Sequence, residues 1–169
     1  MDWMALCVWG IPAARGITMQ KVTLIFGRSS KLVGLLIRFF DISPWSHVAI
    51  LDGDYVYESV GLRYKGRLGR RKGVIKTHAD DFKKRYSAWR TKEVWTSNES
   101  WREQCELMVS KKTEYDFAAT IGALWFFRLL RIHLGSKYSY NCSEFVGHVL
   151  ERFVSGYSPT VKDLWVLSS

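Results

Sequence analysis

Ser46-His47-Val48-Ala49-Ile50-Leu51-Asp52-Gly53-Asp54-Tyr55-Val56-Tyr57-Glu58-Ser59-Val60 is the stretch on which the fold turns. Two runs rich in β-branched and aromatic residues flank Asp52-Gly53-Asp54, and Asp-Gly supplies the positive backbone angles that tight hairpin turns need. The pattern predicts strands over 46–51 and 55–60. With Asp52 and Gly53 as the turn residues, Leu51 pairs with Asp54 and His47 falls directly opposite Glu58, on the same face with β carbons about 5 Å apart. A three-residue turn would instead put Ser59 opposite His47 and send Glu58 to the other face.

On the N-terminal side, 22–27 reads as a strand and 30–40 as a helix with Leu32, Leu35, Leu36 and Phe39 on one face, broken by Ser43-Pro44. On the C-terminal side, 61–73 is Gly-rich and basic, with Arg63, Lys65, Arg67, Arg70, Arg71 and Lys72 and no acid, the composition of a mobile loop. A return strand over 73–77, a helical turn over 80–85 and a strand over 89–95 follow. Asn98 is a candidate N-cap for a helix running to 112. Further helices are expected over 116–134 and 142–153, with Pro159 ending the helical region. Strands early and helices late predict an α+β fold, a small antiparallel sheet or partial barrel packed against helices.

The 169 residues, 47% hydrophobic, suffice for one core, so a single domain over 19–169 is expected, with 1–18 as an N-terminal extension and Met19 a second candidate start. Lysine and arginine outnumber acids 25 to 16, a net +9 that suits an anionic partner: nucleic acid, lipid or an acidic wall polymer. Cys7, Cys105 and Cys142 are an odd number without C-x-x-C spacing, which argues against a disulfide framework and a zinc site. His78 and His133 have no ligand-like spacing either, so neither metal nor cofactor is expected. The uninterrupted apolar run from Phe117 to Phe127 is too short to span a bilayer and reads as a core helix, with insertion into a lipid surface as the alternative. No signal peptide is recognisable, which makes a cytoplasmic location the default.

Chemistry concentrates at Asn141-Cys142-Ser143-Glu144-Phe145-Val146. Asn141 with Glu144 three residues on forms a capping box, which puts Cys142 on the first helical turn, where backbone N–H groups favour a thiolate. Phe145, Val146, Val149, Leu150 and Phe153 form the buried stripe of that helix. Taken alone, Cys142 would be a buried, inert small residue, as most free cysteines are. His47, a lone imidazole in an apolar strand, is costly to bury unless both ring nitrogens are employed. Glu58 would orient the imidazole through one nitrogen and leave the other to take the thiol proton. His148 shares the helix with Cys142 but faces away from it. Tyr140 and Trp45, next to the two key residues, either line a substrate cleft or pack in the core.

A Ser-His-x-x-Ile strand, an acid in the following strand and a late Tyr-x-Cys-Ser-Glu-Phe-Val helix resemble the circularly permuted NlpC-like, or YiiX-like, branch of papain-fold cysteine hydrolases. Small phage and prophage proteins of this kind look similar over most of 21–164, including Tyr115-Asp116. The resemblance implies a permuted papain-like fold and a thiol peptidase or amidase acting on amide bonds such as those of peptidoglycan stem peptides. It makes Cys142 the nucleophile, His47 the base and Glu58 the orienting residue, and it suggests delivery to the cell envelope as a phage component. The same motifs are similar to the lecithin retinol acyltransferase family, in which Asn141, Cys142, Phe145 and Val146 match the nucleophile motif and the chemistry is on acyl lipids. That family's third residue is usually a second histidine, whereas this chain has Glu58-Ser59-Val60. A non-enzymatic basic module, binding an anionic polymer or lipid through the cations between Arg63 and Lys72, is the reading without catalysis.

Overall fold

The computed structural model describes residues 18–66, 69–114, 140–151 and 159–167, with the backbone alone described for 62–66, 69–72 and 167. Five strands, β1 (Gln20–Arg28), β2 (His47–Asp52), β3 (Tyr55–Gly66), β4 (Gly69–His78) and β5 (Ala88–Thr96), form one open antiparallel sheet in the order β4-β3-β2-β1-β5. The fold is α+β. Val22, Leu24 and Phe26 of β1 alternate with Ile25, and β1, β2 and β3 each feed two apolar layers. The larger layer joins Leu24, Phe26, Val48 and Ile50 to three helices, α3 (Trp101–Ser110), α4 (Cys142–Val149) and α5 (Val161–Leu167). The smaller layer joins Ile25, Ala49 and Val56 to Ala79 and Phe82 of α2 (Ala79–Arg85). One further helix, α1 (Leu32–Asp41), links β1 to β2.

The hairpin forms as the turn signal predicts, but one residue later: Asp52 pairs with Tyr55, Leu51 with Val56 and Ile50 with Tyr57, and Gly53 takes the positive φ of 57°. Continued, that register would set Glu58 across from Ala49 rather than across from His47. The shift moves the pairing by two positions, so His47 and Glu58 keep a common face. Among the described residues, ladder pairing between β2 and β3 stops at Ile50 and Tyr57, and the strands part where His47 and Glu58 lie.

Other elements correct the sequence reading. The stretch expected to be a mobile loop continues both strands: Tyr64 pairs with Arg71, Lys65 with Arg70 and Gly66 with Gly69, after a register irregularity between Val60 and Tyr64. Charged residues suit such a projecting ribbon, because its ladder needs only backbone groups. Residue 67 lies outside the described residues, as do the expected helix over 116–134, Phe153, Cys7, His133 and nearly all of the N-terminal extension. Helix α3 starts at Trp101, with Ser100 as N-cap. Asn98 is spent instead on tying loops together: its Oδ1 accepts the Ser100 N–H and its amide donates to Val149 O and Gln104 Oε1. Pro159 does not end the helices, because Thr160 and Asp163 exchange N–H bonds and start α5. Helix α4 stops at Val149, with Glu151 in the left-handed region at φ 54°. No helix of the described residues is long and apolar enough to cross a membrane.

Phe145 is fully buried and anchors α4 to the sheet. Phe145→Ala is expected to cost about 3–5 kcal/mol, measured as a lower urea midpoint with an unchanged slope.

Candidate active site

Helix α4 brings a thiol to the sheet. The Asn141 side chain accepts N–H bonds from Ser143 and Glu144, and Glu144 Oε2 accepts the Asn141 N–H at 3.0 Å, so both halves of the capping box are present. This fixes the first turn and leaves Cys142 as the first helical residue, at the positive end of the helix dipole. Phe145, Val146, Val149 and Leu150 are buried beneath it. A second tie comes from β3, where Ser59 Oγ donates to Tyr140 O at 2.6 Å.

His47 opens β2 opposite Gly27 of β1. Ser46 sets this strand start: its N–H and hydroxyl both donate to Gly27 O, and its Oγ accepts the Ser29 N–H. The imidazole is only 8% exposed, and both sides of the ring are engaged. Nε2 lies 3.1 Å from Glu58 Oε2, and Cys142 lies close enough to act on the charge of the ring. Tyr86 stacks on the ring at 5.6 Å and 14° between planes, and Phe82 lies 5.9 Å away. These aromatics hold the ring plane between the two partners.

Glu58 has no solvent exposure. Besides His47, it accepts Thr77 Oγ1 at 2.9 Å and pairs with the Arg85 guanidinium. Burial alone would raise its pKa, but the His47 hydrogen bond and the Arg85 charge outweigh that and hold the carboxyl below its usual range. For His47, burial pulls the pKa down, yet the charge at Cys142 and the hydrogen bonds to Cys142 and Glu58 prevail and raise it to about 9. The site therefore favours a protonated imidazole backed by a carboxylate. Cys105, by contrast, is pushed up to about 12, chiefly by burial, and is chemically inert packing.

The structure thus brings together Cys142, His47 and Glu58. It places Trp45 in the core, 8% exposed, against Phe26 and Trp165, with a buried indole N–H that finds no acceptor among the described residues. Tyr140 is half-buried, its ring 4.9 Å from that of His148. The sequence reading missed Thr77, Phe82, Arg85 and Tyr86. Phe82 and Arg85 are three residues apart on α2, and Tyr86 follows as its extended C-cap, but nothing local says that they cover His47. Among the described residues, no cluster of histidines, cysteines and carboxylates could hold a metal ion.

Comparison with protein-family models, curated proteins and solved structures gives no significant match to this chain. The chemistry of the site therefore rests on its own geometry.

Two measurements test that geometry. By NMR, His47 should titrate near pH 9 in the wild type, and Cys142→Ala should move the midpoint down towards the ordinary histidine value, since burial remains and the Cys142 interaction that raises it is gone; an unchanged midpoint contradicts the coupling. The stability this raised pKa contributes is complete below the unfolded histidine value and is lost as pH rises through about 9. Second, a Cβ at Gly27 would lie 2.7 Å from the Tyr86 ring. Gly27→Ala should therefore cost about 1–3 kcal/mol by overpacking, lower the thermal midpoint and shift the His47 ring resonances; unshifted resonances would mean that Tyr86 does not seat the imidazole.

Proposed function

We propose that the protein is a cysteine hydrolase of permuted papain-like fold that cleaves amide bonds, with peptidoglycan stem peptides as the substrate class. The observation that carries this reading is the proximity of three groups: a thiol at a capped helix start, a buried imidazole whose charge it influences, and a buried carboxylate 3.1 Å from ring Nε2. Such an order is required for a nucleophile, its base and the base's orienter. The placement of Glu58 where a second histidine would serve acyl-lipid enzymes favours the amide reading.

In the proposed cycle, the Cys142 thiolate attacks the scissile carbonyl carbon, and the carbonyl electron pair moves to oxygen. The start of α4, including the Cys142 N–H, offers positive potential to that oxyanion. As the carbon–nitrogen bond breaks, the His47 imidazolium gives its proton to the departing amine, leaving a thioester. Neutral imidazole then takes a proton from water, whose oxygen attacks the thioester and releases the acid and the thiolate. Glu58 keeps one tautomer throughout and compensates the positive imidazolium. Action on a wall substrate requires the chain to reach the cell envelope, as a phage component delivered there would.

Incubation with purified muropeptides, followed by mass spectrometry of the new termini, tests the reading. Cys142→Ala should abolish turnover. Glu58→Gln should lower kcat/KM by about 100-fold or more, and the alkaline limb of kcat/KM should fall near pH 9 as His47 loses its proton. Turnover that survives Cys142→Ala, or iodoacetamide labelling of Cys142 no faster than of Cys105, overturns the proposal. Cys142-dependent release of fatty acid from phospholipid would move the substrate class to acyl lipids.

A further inference from the structure

Helix α1 should, by its sequence, bury Leu32, Leu35, Leu36 and Phe39, yet all four are exposed, Leu32 at 71% and Phe39 at 77%. Val33 and the following Ile42, the latter at 78%, extend the apolar surface. Only Gly34 is buried in this helix, in close approach to Ser29. Among the described residues, no strand or other helix packs broadly against α1. Leaving this much apolar side chain in water on one short helix is unfavourable, and contiguous surfaces of this kind mark docking sites.

The surroundings specify the partner. The end of β1, the start of β2, the end of α2 and the start of β5 converge beside α1: Gly27 pairs with both His47 and Trp89, and the Ser87 N–H donates to Arg28 O. Cations rim this end, with Arg28, Lys31, Lys84 and Arg90 exposed and Arg38 within α1 itself; Asp41 is the one acid of α1. Trp89 is exposed on the same rim, with Lys83 Nζ 4.8 Å from its ring centroid. An exposed apolar helix at an end of the sheet that also carries lysines, arginines and an exposed tryptophan fits the boundary of an anionic bilayer, where each part meets its preferred medium. A second copy of the chain would instead bring two positive rims together.

We propose that α1 is an interfacial helix that docks the protein on an anionic lipid surface. At ten residues, about 15 Å long, it lies in the plane of the surface and does not cross it. Phe39, Leu32 and Ile42 enter the acyl boundary while Lys31, Arg28 and Lys84 meet the headgroups. α1 joins β2, which begins at His47, through residues 42–46. The surface is separate from the thiol chemistry.

Sedimentation of the purified full chain with vesicles of phosphatidylcholine, alone or mixed with phosphatidylglycerol, tests this. The wild type should bind the mixed vesicles, bind them less as salt is raised, and leave neutral vesicles largely unbound. Leu32→Ser with Phe39→Ser should weaken binding about tenfold or more at an unchanged thermal midpoint, whereas Leu107→Ser, which removes an exposed leucine on α3, should bind as the wild type does. Cys142→Ala should also bind normally, so the outcome is independent of whether the thiol is catalytic. The proposal is overturned if the wild type ignores anionic vesicles, if the double variant binds as well as the wild type, or if the apolar face proves to hold a dimer that the double variant dissolves without any vesicle binding.

Discussion

A carboxylate with no solvent exposure is the constraint around which this structure is arranged. Glu58 is tolerable in the interior only because Arg85, His47 and Thr77 all turn to it. Taking such charges out of water costs several kcal/mol per ion, and only close, hydrogen-bonded partners repay it. Three separate elements are thereby tied to one side chain on β3. Helix α2 must lie on the second face of the sheet to deliver Arg85, β4 must continue to Thr77, and β2 must begin where the imidazole can reach. The carboxylate thus specifies relative position as much as it contributes stability.

The thiol arrives from the opposite direction. Helix α4 belongs to the larger core, on the first face, and its sequence secures it twice: the capping box at Asn141 and Glu144 fixes the start, and Phe145, Val146 and Val149 fix the side. The separation of β2 from β3 beyond Ile50 and Tyr57 lets a group from the first face meet an imidazole that stacks with aromatics of the second. Gly27 belongs to the same arrangement, since any side chain there would collide with Tyr86.

Local signals were legible where one or two residues control a backbone choice. Asp52-Gly53-Asp54 announced the hairpin and Asn141 with Glu144 announced α4, whereas the reading of Pro159 as the end of the helical region missed α5, which Thr160 and Asp163 start. The register of the hairpin was not legible to the residue, because either Asp52-Gly53 or Gly53-Asp54 satisfies the turn. His47 and Glu58 still met, since both registers keep them on one face. Asn98 shows the opposite failure: a good capping residue was recruited to bridge Val149 and Gln104, partners that sequence distance conceals.

By itself the sequence determined the α+β class, the strands and helices near the site, and the three side chains that form it, because periodicity, turn chemistry and capping act within a few residues. Tertiary structure alone decided what surrounds them. Arg85, Thr77 and Tyr86 came to the site because a buried charge and a flat ring need partners from whichever element lies above, and the choice of α2 is made by packing across the sheet. The outward face of α1 was decided the same way: helical periodicity prescribes an apolar stripe, but only the assembled sheet shows that no strand or helix among the described residues packs broadly against it.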